Sequence, residues 1–577
     1  MKNGILALII AAVALNAAAD GPQKGDKVDL RILETSDVHG CFFPWNFIKN
    51  ERGPGALGRV SYYVDSLRKS HPDRVILLEN GDLMQGQPIC YYSNLVDTLN
   101  QNIAAQVVNY MKYDAQNFGN HDVETKHAVY DKWVNEVKCP VLGANIIDTS
   151  TGMPYAVPYT IINRGGVKVA VLGMISPAIP NWLSPDHWSG MRFVDMVESA
   201  RYWVKFIKTH EKPDLLVGMF HSGYEGGIVT DSYRENASAQ VAREVPGFDI
   251  IFFGHDHQRH NSMDDVNGGG KVLVLNPSNN AMAVAEAQVT MEWDGERWCV
   301  AERKGNLVDV RNTPVHQAYH EHFYPYVRKV KEWVSEPIGN LPKDINSQDC
   351  FFGNSEFNDM ILDMMLKITE ADIAFCAPLS PTAQLKKGEI TRGHMFELYR
   401  FENLLYVMEL SGKEIRGALE MSYDRWVSTM KSASDHLIKM KQTKEGKWTF
   451  ENASYNFDSA MGIDYEVDVT KPDGEKVRIV RMSNGEPWDE NKIYKVAVNS
   501  YRGNGGGELL TTGAGIAHSE LGKRIVYKSE LDLRHYLMEE IKRQGTLHPK
   551  KGNNWKFVPE RWAVPAAKRD RELLFKK

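Results

Sequence analysis

Through the first half of the chain, apolar residues come in short runs that break off at polar groups. VDLRILETSDVHG (28–40) runs into Asp37 and His39, and RVILLENGD (74–82) runs into Asp82. DAQNFGNHD (114–122) delivers Asn120 and His121, and DLLVGMFHSG (214–223) delivers His221. DIIFFGHDH (249–257) ends in His255 and His257, while VKVAVLGMISP (167–177) has the same build without such an ending. Short runs rich in Val, Ile, Leu and Phe predict buried strands. Between them, LGRVSYYVDSLRKSH (57–71) and VESARYWVKFIKTH (197–210) carry helical spacing. Strand and helix alternate, which predicts an α/β fold. In such folds the site forms where strands end at their carboxyl termini.

TPVHQAYHEHFYPYVRKVKEWVSE (313–336) predicts a helix, with Thr313 as cap and Pro314 in its first position. Its apolar stripe runs through Val315, Ala318, Tyr319, Phe323, Tyr326, Val327, Val330 and Val334, and His316, His320 and His322 read as a solvated face. EPIGNLP (336–342) marks a boundary. Beyond it SEFNDMILDMMLKITEA (355–371) reads as helix, and RFENLLYVMELSG (400–412) and KIYKVAVNSYRGNGGGEL (492–509) as strands. The expected organisation is a signal peptide over 1–19, a first domain over 27–310, a linker helix over 311–336, a second domain over 337–550 and a tail over 551–577. A chain of 577 residues exceeds what one core supports.

Composition adds exclusions. With 43% hydrophobic and 25% charged residues and a net charge of −6 without a large block of either sign, nucleic-acid polymers and anionic membranes are poor partners. MKNGILALIIAAVALNAAAD has an early Lys2, an apolar stretch from Ile5 to Leu15, and Ala17-Ala18-Ala19 before Asp20. That pattern predicts export with cleavage, to the periplasm if the source is Gram-negative, with no stable membrane anchor. The six cysteines (41, 90, 139, 299, 350 and 376) are scattered without a C-x-x-C pair. This disfavours a cysteine-rich metal site and leaves disulfides and buried thiols equally open.

The strand ends carry the chemistry. In an extended chain residues i and i+2 point the same way, roughly 6.6 Å apart. Asp37 and His39 can then flank one point, as can His255 and His257, with Asp256 facing away. Glycines before Asp82, Asn120 and His255 suit sharp departures from a strand. Each motif alone says little. The order D-x-H, G-D, G-N-H-D, H, G-H-x-H, each after an apolar run, is specific.

In that order the chain resembles the calcineurin-like metallophosphoesterases, and over nearly its whole length the two-domain 5′-nucleotidase family. The resemblance implies an α/β/β/α sandwich joined by a helical linker to a smaller α/β nucleotide-binding domain. It also implies two divalent metal ions. Asp37, His39, Asp82 and His257 would hold one, and Asp82, Asn120, His221 and His255 the other, with Asp82 shared. Such oxygen and imidazole ligands suit Zn, Mn, Fe or Co without choosing among them. The resemblance gives His121 a catalytic role facing the substrate, stabilising the phosphoryl group or protonating the leaving oxygen. The family pairs this histidine with an Asp three residues on; here Glu124 stands there, with Asp122 beside the histidine.

The second domain departs from the 5′-nucleotidase branch. Gly505-Gly506-Gly507-Glu508-Leu509 stands where a Gly-Gly-Asp-Gly-aromatic motif is expected, and CAPLSP (376–381) stands where an Arg is expected. NSYRGNGGG and CAPL instead resemble the 2′,3′-cyclic-nucleotide 2′-phosphodiesterase/3′-nucleotidase branch. Tyr501 is then the expected stacking platform, with Tyr455 or Phe457 as partner, and Asn499, Arg502 and Asn504 meet sugar or phosphate. The expectation is an exported, monomeric dimetal nucleotide phosphohydrolase. Its alternatives are a 5′-nucleotidase or UDP-sugar hydrolase and, more remotely, a non-catalytic nucleotide-binding protein.

Overall fold

The computed structural model describes residues 21–443 and 446–576; the expected signal peptide lies outside them. Two six-stranded sheets build the first domain. One runs, edge to edge, Trp298–Asp309, Ala283–Trp293, Lys27–Thr35, Val75–Glu79, Ala115–Asn117, Val141–Leu142. The other runs Arg259–Asp265, Lys271–Pro277, Ile250–Phe253, Leu215–His221, Val167–Ile175, Tyr159–Arg164. In the first sheet the strands from Lys27–Thr35 to Val141–Leu142 are parallel and the other two pair antiparallel; in the second the four inner strands are parallel and both edge strands antiparallel.

The side-chain pattern explains the layering. Leu30 and Ile32 of the first strand alternate inward against Val169, Val217, Ile250 and Phe252 of the facing sheet. Leu33 points the other way, into a helix-covered layer with Val60, Val64 and Val108. A second helix layer, with Val197, Ala200 and Val204, covers Leu172 and Phe253 of the other sheet. The result is the expected α/β/β/α sandwich. The five segments that end in site residues meet at the same rim.

The linker helix spans Gln317–Val334 and starts later than expected, with His316 as N-cap. Thr313 and Pro314 precede it because the amides of Thr313 and His316 bond to the carbonyls of Val310 and Gly58. Tyr319, Phe323, Val327, Val330 and Val334 are buried in the first domain, as the stripe predicts.

The second domain centres on a mixed five-stranded sheet: Ser459–Met461, Ile373–Cys376, Ile493–Asn499, Leu404–Ser411, Ile525–Asp532. Helix Gly412–Trp426 packs on one face, and helices Glu356–Thr369 and Leu533–Gln544 on the other. Residues 551–576, expected as a tail, are part of this domain. Trp555–Val558 pairs in parallel with Ile463–Asp468. Helix Glu560–Phe575 buries Asp570, whose carboxylate accepts from the amides of Leu437 and Ile438. The domains touch through Tyr91, whose hydroxyl donates to Asp532 at 3.0 Å, and through Lys528, which pairs with Asp186. The six cysteines are free thiols in the structure. Among the described residues no helix is long and apolar enough to cross a membrane.

Candidate functional site

The seven expected ligand residues converge at the rim of the sandwich, but not by the extended-strand geometry read from the sequence. Strand Lys27–Thr35 ends before Asp37. Asp37, His39, Asp82, His255 and His257 all have positive φ, at 51°, 48°, 57°, 77° and 57°. Non-glycine residues adopt this region only where surrounding structure over-determines it, and such residues cluster at functional sites. The glycines act by permitting close approach. A Cβ on Gly119 would lie 2.2 Å from the Asp82 amide nitrogen, and one on Gly254 would lie 1.9 Å from Ser36 Oγ.

Asp37, His39 and His257 form one cluster of potential ligand atoms, and Asp82, His221 and His255 a second, each within 4.8 Å. In the first, His39 Nε2 faces His257 Nε2 at 3.1 Å, and Asp37 Oδ1 lies 3.3 Å from the latter. In the second, His221 Nε2 lies 3.2 Å from Asp82 Oδ2 and 3.2 Å from Asn120 Oδ1, which is itself 2.8 Å from His255 Nδ1. Asp256 faces away as expected, accepting from the Tyr224 amide and Asn276.

The donor set fits cations. His39 Nδ1 contacts the Gln85 carbonyl at 3.1 Å, and His221 Nδ1 the Asn80 carbonyl at 2.6 Å. A carbonyl only accepts, so each ring donates from Nδ1 and turns Nε2 toward the cluster. At His221 the lone pair meets the oxygens of Asp82 and Asn120, and only a proton or metal ion between them relieves the opposition. The charges agree. Burial opposes the charged form of His221, but Asp82 and Asp37 outweigh it and lift the ring to about 10. Burial pushes His39 down to about 4. Burial would raise Asp37, yet His257 and His221 hold it at about 2. Carboxylates that stay ionised while buried and draw His221 toward its charged form make a pocket that attracts positive charge, and with imidazole nitrogens beside them they suit a divalent ion.

His121 sits beside this centre on the short helix Asn120–Glu124. Its amide donates to Asp82 Oδ1 at 2.8 Å, and its Nδ1 meets Glu124 Oε2 at 2.5 Å. Burial disfavours its charged form, but Asp82 and Glu124 outweigh burial and raise it to about 9. Asp122 cannot compete for the ring. Its carboxylate accepts from the amides of Asp82, Leu83, Met84 and Gly119 and ties the two loops together.

An open cleft of about 440 Å³ runs from this centre to the second domain, lined by Asn120, His121, His255 and His257 on one side and by Tyr455, Asn499, Tyr501 and Asn504 on the other. Tyr501 and Tyr455 meet edge-on, with centroids 6.2 Å apart at 82°. Phe457 does not belong to this cleft. It is fully buried and stacks on Trp426 at 5.5 Å in the core of the second domain. Arg502 is also withdrawn, 2% exposed and paired with Asp458 at 2.7 Å. Asn499 caps the turn through the Arg502 amide and donates to Tyr399. Sequence reasoning missed Trp182, Glu235, Phe401 and Glu402, all on the cleft wall. Phe401 meets Tyr455 edge-on at 6.4 Å, and Glu235 Oε1 lies 3.2 Å from His255 Nε2. These residues lie on loops without a motif spacing to announce them.

Comparison with known proteins agrees with both domains. Residues 30–259 match the calcineurin-like phosphoesterase family and residues 337–512 the 5′-nucleotidase, C-terminal domain. The chain is 27% identical to the trifunctional nucleotide phosphoesterase protein YfkN of Bacillus subtilis over 96% of its own length, and spans 40% of that longer protein. It is 26% identical to the 2′,3′-cyclic-nucleotide 2′-phosphodiesterase/3′-nucleotidase of Salmonella typhimurium, over 96% of this chain and 91% of that one. A putative 5′-nucleotidase from Staphylococcus aureus shares the fold, with a TM-score of 0.74 at 20% identity, covering 92% of this chain and 100% of the other. With a calcineurin-like phosphoesterase domain followed by a 5′-nucleotidase C-terminal domain, the chain belongs to the 5′-nucleotidase family of metal-dependent phosphoester hydrolases.

Proposed function

We propose that this protein hydrolyses nucleotide phosphoesters in the interdomain cleft, opening 2′,3′-cyclic nucleotides and then removing the 3′-phosphate. The observation that carries this reading is that one cleft joins the cation-fitting centre to Tyr501 and Tyr455. Asp37, His39, Asp82 and His257 would hold one divalent ion, and Asp82, Asn120, His221 and His255 the other. Divalent ions held there supply Lewis-acid charge for a phosphoryl group and make water a better nucleophile.

The chain's own residues do the rest. Asp82 places the His121 backbone through its 2.8 Å contact. Glu124 takes the Nδ1 side of His121 and leaves Nε2 for the substrate, where it stabilises phosphoryl oxygens or protonates the leaving oxygen. Tyr501, with Tyr455 against its edge, supplies a face for a base, which tolerates any base. The choice of 2′,3′-cyclic and 3′ substrates is supported by the Salmonella relative and by Gly507-Glu508-Leu509, which lacks an aromatic beside the glycines. The reading includes export, on the N-terminal pattern alone.

The test is phosphate and nucleoside release from 2′,3′-cyclic, 3′- and 5′-nucleotides with Mn, Zn or Co added. Preferred turnover of the cyclic and 3′ substrates supports the reading. Preferred turnover of 5′-nucleotides replaces it with the alternative activity, and turnover of none removes the reading.

A further inference from the structure

His255 is approached from both sides of its ring. Nδ1 faces Asn120 Oδ1 at 2.8 Å, inside the cation-fitting centre, and Nε2 faces Glu235 Oε1 at 3.2 Å, outside it. Glu235 comes from the loop between strand Leu215–His221 and helix Ser238–Glu244. The loop holds it firmly. Its second oxygen accepts from the Ile228 amide at 2.7 Å, and its backbone carbonyl accepts from the hydroxyls of Ser176 and Ser222 at 2.9 and 2.8 Å. The side chain is 16% exposed, so this carboxylate is fixed rather than solvated.

An ionised carboxylate only accepts. A neutral His255 facing it therefore carries its proton on Nε2, which leaves the Nδ1 lone pair for the centre. Without that acceptor the proton is free to settle on Nδ1, where it opposes a cation. Trp182 lies over the ring, 5.5 Å away at 33°, and limits its freedom to turn.

We propose that Glu235 is a positioning residue that fixes the tautomer and orientation of His255, and so sets the affinity of one of two divalent-ion sites. The inference rests on the metal-centre reading above. Carboxylates that accept from the remote nitrogen of a ligating histidine typically account for about 10- to 100-fold in metal affinity. The effect here belongs to the second cluster (Asp82, Asn120, His221 and His255) and leaves the first (Asp37, His39 and His257) in place. Glu235→Gln is informative because its single amide oxygen can serve the ring or the Ile228 amide, but not both.

The experiment titrates metal-free wild type, Glu235→Ala and Glu235→Gln with Mn²⁺ and, separately, Zn²⁺. It reads stoichiometry and stepwise affinity by equilibrium dialysis with elemental analysis, and folding by circular dichroism. Wild type should bind two ions per chain. Glu235→Ala should keep one with wild-type affinity and weaken the other about 10- to 100-fold, with Glu235→Gln in between. Unchanged affinity for both ions in Glu235→Ala overturns the inference. So does equal weakening of both, because it marks a collapsed loop. If Glu235→Ala does not fold, Glu235→Gln decides on the same criterion. A wild type that binds no divalent ion would instead overturn the metal-centre reading itself.

Discussion

His121 Nδ1 lies 2.5 Å from Glu124 Oε2, three residues along the same short helix. The longer glutamate side chain thus reaches the ring from the position where the family carries an aspartate. Asp122, between them in sequence, is spent on four backbone amides. The ring is held on one nitrogen and left open to the cleft on the other.

His121→Ala is therefore expected to keep its metal content, because His121 is assigned no ligand role. It should lower kcat by about 10²- to 10⁴-fold, the range for a lost acid or base. If the ring protonates the leaving oxygen, the loss shrinks for nitrophenyl esters, whose leaving group needs no proton. Elemental analysis and steady-state kinetics on both substrate types check this. Collapse of metal content would reassign the residue.

If Tyr501 stacks on the base as proposed, Tyr501→Ala removes a contact that is about as strong in the ground state as in the transition state. Uniform loss of binding raises KM and spares kcat. Stacking is worth about 1–3 kcal/mol per base, which corresponds to a rise in nucleotide KM of about five- to a hundred-fold. Bis(p-nitrophenyl) phosphate, which has no base, should be hydrolysed as before. Equal loss on both substrates would make Tyr501 a structural residue.

Phe457 lies in the core, so Phe457→Ala should act on stability instead. It removes a fully buried ring stacked on Trp426. Truncation of this kind costs about 3–5 kcal/mol. Denaturant unfolding should show that loss, while nucleotide KM in the folded fraction stays unchanged. A selective KM increase without destabilisation would return Phe457 to the cleft.

His187 gives a pH signature. Burial, with Lys126 nearby, pushes its ring down to about 4 in the folded protein, against about 6.5 in an unfolded chain. The folded-state value is the lower one, so between these limits the unfolded chain binds more protons. Stability therefore falls as pH drops from about 6.5 to about 4, with a slope approaching 1.4 kcal/mol per pH unit from this group. His187→Asn keeps a donor for the Ser184 carbonyl, which lies 3.2 Å from Nδ1. It should flatten the slope in that window when unfolding free energies are compared across pH. An unchanged slope would contradict the assignment.

The fold class and the metal-centre candidates were legible because their signals are local and ordered along the chain. Apolar runs gave the strands, and D-x-H, G-D, G-N-H-D and G-H-x-H followed them in sequence. The conformation of those residues was not legible. A period of two describes a strand, whereas Asp37, His39, His255 and His257 stand beyond the strand ends with positive φ. Phe457 and Arg502 were misplaced because adjacency to a motif does not tell which face a side chain takes. Phe457 turns into the core, and Arg502 is drawn inward by Asp458. The last helix was missed because Pro559 and Pro565 interrupt its pattern. Pro559 in fact stands as its N-cap, and Pro565 lies inside it. Glu235 had no sequence signal, since only the folded loop carries it to His255.

The central claim is that a divalent-ion centre anchored on Asp82 carries the chemistry, and Asp82→Asn tests it most directly. Asp82 Oδ2 lies 3.2 Å from His221 Nε2 while Oδ1 holds the His121 amide. The proposal shares this carboxylate between both ions. Metal content and phosphate release from a 2′,3′-cyclic nucleotide should be measured together on wild type and Asp82→Asn at fixed temperature with added Mn²⁺. The account predicts two ions and turnover in wild type. In the variant it predicts weakened binding of both ions and a loss of turnover far larger than any loss of stability. Wild-type turnover in Asp82→Asn would contradict it.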